Sequence, residues 1–311
     1  MLTENRAAPW RPASPDSLDE AVPMEGRSSP LLLRWILGER LRELREAHRL
    51  TGSAVAAELG WAPSKISRIE NHDGARPADV RALLSVYQVT DPEDVQPLVS
   101  LARQAENKGW WREFDDTLPP WFATFVGLEA GAAEERDYRS ALVTGLLQTE
   151  SYARALMSAD LPAGKGAAGE IERMVALRRE RQEHLRAASP LRLWTIMEES
   201  ALHRPVGGRA VMRDQLRHLA EIGTAPHVTV QVVSAEQVHS ALDFPFCLLL
   251  FPDSARLPGV VYLENFRRAL YLEGDETVSY YGAIFRRLAE VALSPEASRD
   301  LLHQCIRQID E

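Results

Sequence analysis

Four hydrogen-bond donors lie close together in the stretch GWAPSKISRIEN, residues 60–71: Ser64, Lys65, Ser67 and Arg68. Ile66 and Ile69 stand among them at a spacing that places both on one face of a helix. Hydroxyl, ammonium and guanidinium groups on the opposite face can donate to phosphate oxygens and to base edges in the major groove of DNA. The same pattern also fits a helix whose polar face meets only water. The surrounding elements decide between these two interpretations.

The neighbouring residues predict five short helices. Thr51 offers a hydroxyl N-cap, and Gly60 can adopt the left-handed conformation that ends a helix. Pro63 suits a first turn, because its missing N–H would be unpaired there. The predicted helices run from Leu33 to about Arg49, between Thr51 and Gly60, from Pro63 to Asn71, from Pro77 to Tyr87 and from Val95 to Ala105.

The spacing of three residues predicts a helix-turn-helix. Ala56 allows two helices to approach, Gly60 makes the turn, and Ile66 fills the crossing. The stretch LRELREAHRLTGSAVAAELGWAPSKISRIEN resembles the lambda-repressor-like (Xre-type) helix-turn-helix family over its first three helices. The resemblance implies that the third predicted helix lies in the major groove with its N-terminal half facing base edges.

The resemblance and the spacing assign a predicted role to ten residues of the helix-turn-helix, six as DNA contacts and four as structural positions. Base edges are assigned to Ser64, Lys65 and Arg68, and phosphates to Thr51, Ser53 and Ser67. The structural positions of the helix-turn-helix are Ala56, Gly60, Ile66 and Ile69. Glu70 is expected to pair with an arginine of the first helix, Arg40 or Arg45. Gly52 stands where many members of the family carry a polar residue such as glutamine.

Charge and composition indicate which part of the chain can bind DNA and in which compartment the protein is expected. The net charge is −9, but residues 31–90 carry nine Lys or Arg against seven Asp or Glu, so only this segment is suited to phosphate. Such a weakly basic module neutralises few phosphates, which favours a homodimer on double-stranded DNA with an inverted-repeat operator. Two isolated cysteines and short apolar runs predict a cytoplasmic protein without a membrane segment.

The remainder of the chain also resembles a known group. The segment from GWWREFDDTLPPWF to ESYARAL, residues 109–156, is similar to the C-terminal domain of unknown function in an actinobacterial family of helix-turn-helix regulators. The likeness continues through MEESALHRPVGGRAVMRDQL, VTVQVVS, VVYLEN and ALSPEASRDLL. It implies a transcription factor, in some relatives tied to development and to antibiotic production or other secondary metabolism. It also implies modulation by a small partner protein, and a small-molecule ligand is an equal alternative.

Hydrophobic patterning predicts an α+β fold for this larger region, after an all-α five-helix domain. The predicted strands are Leu191–Met197, Val228–Val233, Phe246–Phe251, Gly259–Leu263 and Ala269–Leu272. The predicted helices are Ile171–Leu185, Gly208–Ile222, Val278–Leu293 and Pro295–Ile309. We interpret the first of these helices as solvated, with ion pairs inside it. The aromatic residues Trp110, Trp111, Trp121, Phe122 and Phe125 are assigned to a hydrophobic core at the domain junction.

The predicted organisation is a disordered tail over residues 1–30, a DNA-binding domain over 31–107 and a regulatory domain over 108–311. Catalysis is not expected, and neither a cofactor nor a metal, because the chain contains no HExxH, paired-cysteine, Walker or GxGxxG motif. The acid-base candidates considered are Glu198, Glu199, His203, His227, His239 and Asp243. Two alternatives to a transcriptional regulator remain open: an interaction scaffold or antitoxin-like partner of a small protein, and a hydrolase with a fused regulatory head.

Overall fold

The computed structural model describes residues 29–160, 167–239, 241, 244–265 and 267–311. The tail predicted for residues 1–30 lies almost wholly outside this range. Two compact units divide the described chain, one comprising Leu33–Glu106 and the other comprising residues 29–32 with Asn107–Glu311. In the described part of the chain, each helix is too short or too polar to cross a membrane.

The first unit is entirely helical. Its helices are α1 Pro30–Ala47, α2 Gly52–Leu59, α3 Pro63–Arg68, α4 Pro77–Val86 and α5 Pro92–Ala105, with the unit boundary falling inside α1. One hydrophobic core joins them, built from buried side chains that include Leu41, Val55, Ile66, Leu83 and Val99. The five predicted helices are therefore confirmed. Asp91, which accepts a hydrogen bond from the backbone N–H of Glu93, starts α5 three residues before the predicted position.

The end of α3 differs from the prediction of a regular helix to Asn71. A π-helical turn, Ile69–Asp73, follows Arg68, and His72 has a φ of 73°. Asn71 also leaves the helical region, with φ −99° and ψ 30°. At this point Arg42 Nη2 donates to the carbonyl oxygen of Glu70 at 2.6 Å, which ties the end of the helix to α1.

The second unit is built on a six-stranded mixed sheet. Its strands are β1 Glu134–Arg139, β2 Arg192–Glu198, β3 Val228–Val233, β4 Phe246–Leu250, β5 Val260–Glu264 and β6 Ala269–Leu272. Their order across the sheet is β3-β2-β1-β4-β5-β6. The strands β1, β2 and β3 are parallel, whereas β4, β5 and β6 pair antiparallel to their neighbours. The five predicted strands are confirmed, and the α+β class with them.

The central strand β1 was missed by the sequence analysis. Its sequence, EERDYR, has one apolar residue, so it lacks the alternation that marks a half-buried strand. The structure nevertheless buries Glu135, Asp137 and Tyr138 completely. Burial, together with the nearby charges of Glu129 and Asp137, raises the pKa of the Glu135 carboxyl well above its usual value.

Helices cover both faces of the sheet. They are α6 Pro120–Glu129, α7 Glu150–Asp160, α8 Ala167–Gln182, α9 Ser200–His203, α10 Arg209–Ile222, α11 Asp275–Val291 and α12 Pro295–Asp310. One hydrophobic cluster joins Leu193 and Val230 to α10 and α12, and another joins Ile196 and Val261 to α11. Adjacent residues of a strand point to opposite faces, so these clusters are two separate layers of core.

The interpretation of α8 as a solvated helix with internal ion pairs is wrong. Arg181 is buried, and its Nε and Nη2 atoms bind both carboxylate oxygens of Glu129 on α6 at 2.7 and 2.6 Å. Arg173 reaches Asp116 at 2.6 Å, also outside its own helix. Sequence spacing alone favoured glutamates of the same helix, but the sheet and α6 cover this face and supply nearer partners.

The aromatic residues around Pro119 and Pro120 form contacts inside the second unit. Trp111 and Phe125 are buried. Phe122 stacks on Phe125 with ring centroids 5.7 Å apart, and Phe125 packs on Tyr262 at 4.3 Å. Trp111 and Phe125 are thus core residues as predicted, and the Phe125–Tyr262 contact joins α6 to β5. The placement of this core at the domain junction stays a prediction.

The bidentate pair of Arg45 and Glu70 gives a testable prediction for the first unit. The Arg45 Nε–Glu70 Oε1 and Nη2–Oε2 distances are 2.7 and 2.8 Å, and both side chains are largely buried, at 14% and 9% exposure. Arg45→Ala should lower the free energy of unfolding by roughly 3 kcal/mol, because it leaves a buried carboxylate without its main partner. Denaturant unfolding of the full-length protein measures this loss.

Arg40→Ala is the matched control on the same helix. The Arg40–Glu43 pair is equally short, at 2.7 Å, but Glu43 is 57% exposed. Its loss should change stability by no more than about 0.5 kcal/mol. Equal effects of the two substitutions would contradict the importance assigned to Glu70.

Candidate nucleic-acid interface

The turn between α2 and α3 has the geometry of a helix-turn-helix. Thr51 Oγ1 accepts a hydrogen bond from Ala54 N at 3.1 Å and caps the start of α2. Gly60 ends the helix with φ 65° and ψ 29°, and Trp61 N then donates to Ala56 O at 2.8 Å. Ala56 is completely buried. The chain therefore reverses within a few residues and directs α3 across α2.

The two faces of α3 differ in the way that the sequence predicts. Ile66 and Ile69 are buried in the core of the first unit. Ser64, Ser67 and Arg68 are exposed on the outer side. The side chain of Arg68 forms no hydrogen bond or ion pair with any other residue that the structure describes, so its guanidinium is available to an external acceptor.

A cleft of about 420 Å³ brings together three of the six predicted DNA contacts, Ser53, Ser64 and Ser67. It runs between the start of α2 and α3. Its lining residues are Gly52, Ser53, Pro63, Ser64, Ile66, Ser67, Glu70 and Asn71. Ser67 Oγ accepts a hydrogen bond from Asn71 Nδ2 at 3.1 Å, and its own hydroxyl hydrogen can still be donated. Thr51 keeps the same capacity while it caps α2.

Lys65 is placed differently from the other predicted base contacts. Its Nζ atom lies 2.7 Å from Asp79 Oδ1 on α4 and 3.6 Å from the centroid of the Trp61 ring. The side chain is half-buried. Lys65 must therefore give up an ion pair and a cation–π contact before its ammonium group can reach a base edge.

Two arginines that the sequence analysis did not single out also border this surface. Arg34 and Arg76 line a groove of about 580 Å³ together with Lys65 and Arg68. Three acidic residues, Asp73, Asp79 and Glu106, line the same groove. Arg76 directly precedes Pro77, the first residue of α4. This position in the sequence could have marked Arg76 as a candidate phosphate contact.

Glu70 has the structural role expected of it. Of the two arginines proposed as its partner, the structure selects Arg45, while Arg40 binds Glu43. The hydrogen bond to Glu70 raises the pKa of Arg45. Burial and the charge of Glu70 raise the pKa of Tyr87 to about 12. The carboxylate of Glu70 is thus bound to α1, although the residue also borders the cleft between α2 and α3.

The structure brings four of the acid-base candidates of the second unit together as two pairs, Glu198 with His239 and Glu199 with His203. Glu198 Oε1 accepts a hydrogen bond from Tyr138 Oη at 2.9 Å and lies 2.8 Å from His239 Nε2. His203 Nε2 lies 3.5 Å from Glu199 Oε1. His227 directly precedes β3, and Asp243 lies outside the described residues. The Tyr138–Glu198–His239 contact is largely buried.

Comparisons with protein families agree with this division of the chain. Residues 36–98 match the family model of a helix-turn-helix domain. Residues 122–304, more than half of the chain, match the model named Domain of unknown function (DUF5753). The chain therefore belongs to this DUF5753 family, and its N-terminal helix-turn-helix domain is that of a DNA-binding regulator. No curated protein and no solved structure matches the chain.

The left-handed residue at the turn gives a second prediction. A Cβ atom at Gly60 would meet nothing within 4 Å, so the cost of a side chain there is conformational rather than steric. Gly60→Ala should lower the free energy of unfolding by about 1 kcal/mol. Gly60→Asn should cost less, because asparagine tolerates this conformation better than alanine does. Thermal unfolding of the two variants beside the parent tests the order, and an alanine variant as stable as the parent would refute it.

Proposed function

We propose that the chain is a sequence-specific, DNA-binding transcriptional regulator of the lambda-repressor-like type that inserts α3 into the major groove. The observation that carries the proposal is the outer face of α3, where Ser64, Ser67 and Arg68 are exposed while Ile66 and Ile69 hold the opposite face in the core. A groove-reading helix needs such a division, because its donors must reach base edges without loosening the fold.

The proposed roles follow from the kind of donor at each position. The guanidinium of Arg68 suits the two acceptors on the major-groove edge of a guanine, and Ser64 suits either kind of base. Lys65 is proposed to contact a base edge as well, after its ion pair with Asp79 has broken. Ser53 and Thr51 lie at the start of α2, where exposed backbone N–H groups and hydroxyls together favour a phosphate. Ser67, which lines the cleft, is also proposed to donate to a phosphate of the DNA backbone.

A homodimer on an inverted repeat is the proposed form on DNA. The helix-turn-helix segment, residues 31–90, has a net charge of only +2. One such module neutralises few phosphates, and two copies related by a two-fold axis double both the charge and the buried area. The half-sites would then lie about one helical turn apart.

The DUF5753 domain is the proposed site of regulation. A bound effector changes DNA binding only if it favours one arrangement of the protein over another. Residues 91–311 carry a net charge of −9, which suits a basic small protein better than an acidic one, and a small-molecule ligand is the other source of control. The resemblance to actinobacterial regulators supports a role in development or secondary metabolism. The proposal assigns the chain no catalytic activity.

Arg68→Ala tests the proposal directly. With a selected inverted-repeat operator, the substitution should weaken binding by about 1–3 kcal/mol and relax the preference at the contacted base pair. Electrophoretic mobility shift or fluorescence anisotropy at several salt concentrations measures both the affinity and its salt dependence.

Arg287→Ala is the matched control, since it removes the same charge from an exposed position on α11 in the second unit. Operator affinity should not change in this variant. An unchanged operator preference in Arg68→Ala would refute the role of Arg68. Failure of the full-length protein to bind any DNA in a salt-dependent way would refute the function.

Gly52→Gln should strengthen operator binding. A Cβ atom at position 52 would meet only Ile66, at 3.5 Å or more, which is an ordinary contact distance. The added amide at the first residue of α2 can donate to the same phosphate as Ser53. One such hydrogen bond contributes about 1 kcal/mol, or roughly a fivefold gain in affinity. Gly52→Ala is the control without the amide, and an equal gain in both variants would exclude the phosphate contact.

A further inference from the structure

A row of polar side chains crosses one buried face of the central sheet. In the strand register, Asp137 lies beside Thr195 of β2 on one side and beside Cys247 of β4 on the other, and Cys247 lies beside Tyr262 of β5. Residues paired in this way point to the same face. Glu135, two residues before Asp137 on β1, points there too.

Three residues of this face form a compact set of ligand-type atoms. A carboxylate oxygen of Glu135, a carboxylate oxygen of Asp137 and Sγ of Cys247 all lie within 4.8 Å of one another. All three residues are almost fully buried. The set was absent from the sequence analysis because its members come from two strands more than a hundred residues apart, which no local motif can connect.

Several buried oxygens at this face have no hydrogen-bond partner among the described residues. Glu135 is 1% exposed, and its Oε2 atom has none. Thr195 is completely buried beside Asp137, and its Oγ1 atom has none either. Asp137 Oδ1 also lacks a hydrogen bond, although Arg139 Nε lies 2.9 Å from it. Buried polar atoms are almost always satisfied in folded proteins, so a group of unsatisfied oxygens on one side of the sheet indicates a further partner.

The charges around the site identify what kind of partner is missing. Arg181 binds Glu129, and Arg139 Nε lies 2.9 Å from Asp137, so each of these carboxylates already has a counter-charge. Among the described residues, no arginine forms a hydrogen bond or an ion pair with Glu135, and the charges of Arg181 and Arg139 act on it only from a distance. An ionised Glu135 and a Cys247 thiolate together carry two negative charges. An uncompensated charge is costly in the protein interior, and a divalent cation would balance these two.

We propose that Glu135, Asp137 and Cys247 bind a single divalent cation of the zinc class. One thiolate with two carboxylates is a mixed donor set that zinc accepts in tetrahedral geometry, with a water or the Thr195 hydroxyl as the fourth ligand. Asp137 can serve the metal and Arg139 together, because each carboxylate oxygen has two lone pairs. The cation would bridge β1 and β4 from the face of the sheet and stabilise the DUF5753 domain.

Metal analysis of the full-length protein tests this proposal independently of DNA binding. Purified protein dialysed against zinc should retain one equivalent per chain. Replacement by Co²⁺ should give the thiolate-to-cobalt charge-transfer absorption, which requires a cysteine ligand. Removal of the metal with a chelator should lower the thermal unfolding temperature.

Two cysteine variants assign the site. Cys247→Ser should abolish the charge-transfer absorption and weaken zinc binding on the order of tenfold or more. Cys305→Ser is the matched control, because Cys305 is also a buried free cysteine but belongs to α12. It should keep both the absorption and the affinity. Glu135→Gln, which preserves the size of the side chain, should weaken zinc binding without removing the absorption.

Protein that retains no stoichiometric metal after dialysis would overturn the proposal and leave Glu135 as a protonated carboxyl group. Binding that survives Cys247→Ser, or that is lost equally in Cys305→Ser, would overturn it as well. None of these outcomes bears on the helix-turn-helix, so the proposed regulator and the proposed metal site stand or fall separately.

Discussion

The direction in which α3 faces depends on the ion pair between Arg45 and Glu70. Glu70 lies two residues after the end of α3, and its two oxygens bind Arg45 on α1 at 2.7 and 2.8 Å. Arg42 holds the carbonyl oxygen of the same residue. With Ile66 and Ile69 anchored in the core, rotation of α3 about its own axis would break buried hydrogen bonds and expose apolar area at the same time. The outer face of α3 therefore keeps a fixed direction.

The two halves of the protein differ in how far sequence alone could describe them. In the helix-turn-helix, Thr51, Gly60 and Pro63 act on their immediate neighbours, so caps, turn and helix bounds follow from local rules. In the larger unit, the apolar strands were predictable from their composition. β1 was not, because its charged residues are buried beside β2 and β4, two strands that are distant from it in sequence. For the same reason, the spacing of residues on α8 could not identify Glu129 as the partner of Arg181. The ion pair of Lys65 could not be predicted either, because its partner Asp79 belongs to another helix.

A buried polar layer gives the DUF5753 domain a different kind of core from that of the first unit. The α11 face of the sheet is packed with apolar and aromatic side chains. The opposite face combines apolar packing with carboxylates, arginines and a thiol near its centre. Buried charged groups add little net stability, because their mutual attraction has to offset the loss of hydration. Their main contribution is to fix which side chains pair with each other. Substitutions there are therefore expected to be far less tolerated than those in the apolar layer.

The contact of Lys65 with Asp79 and Trp61 bears on how a protein of this kind searches a genome. Random DNA attracts a regulator mainly through unneutralised cations, and the number of competing sites is enormous. An ammonium group that is already neutralised adds little to that indiscriminate attraction. At a cognate site, the proposed insertion of α3 into the major groove can offset the loss of the internal contact. An intramolecular ion pair that weakens every encounter slightly would in this way widen the margin between the correct sequence and all others.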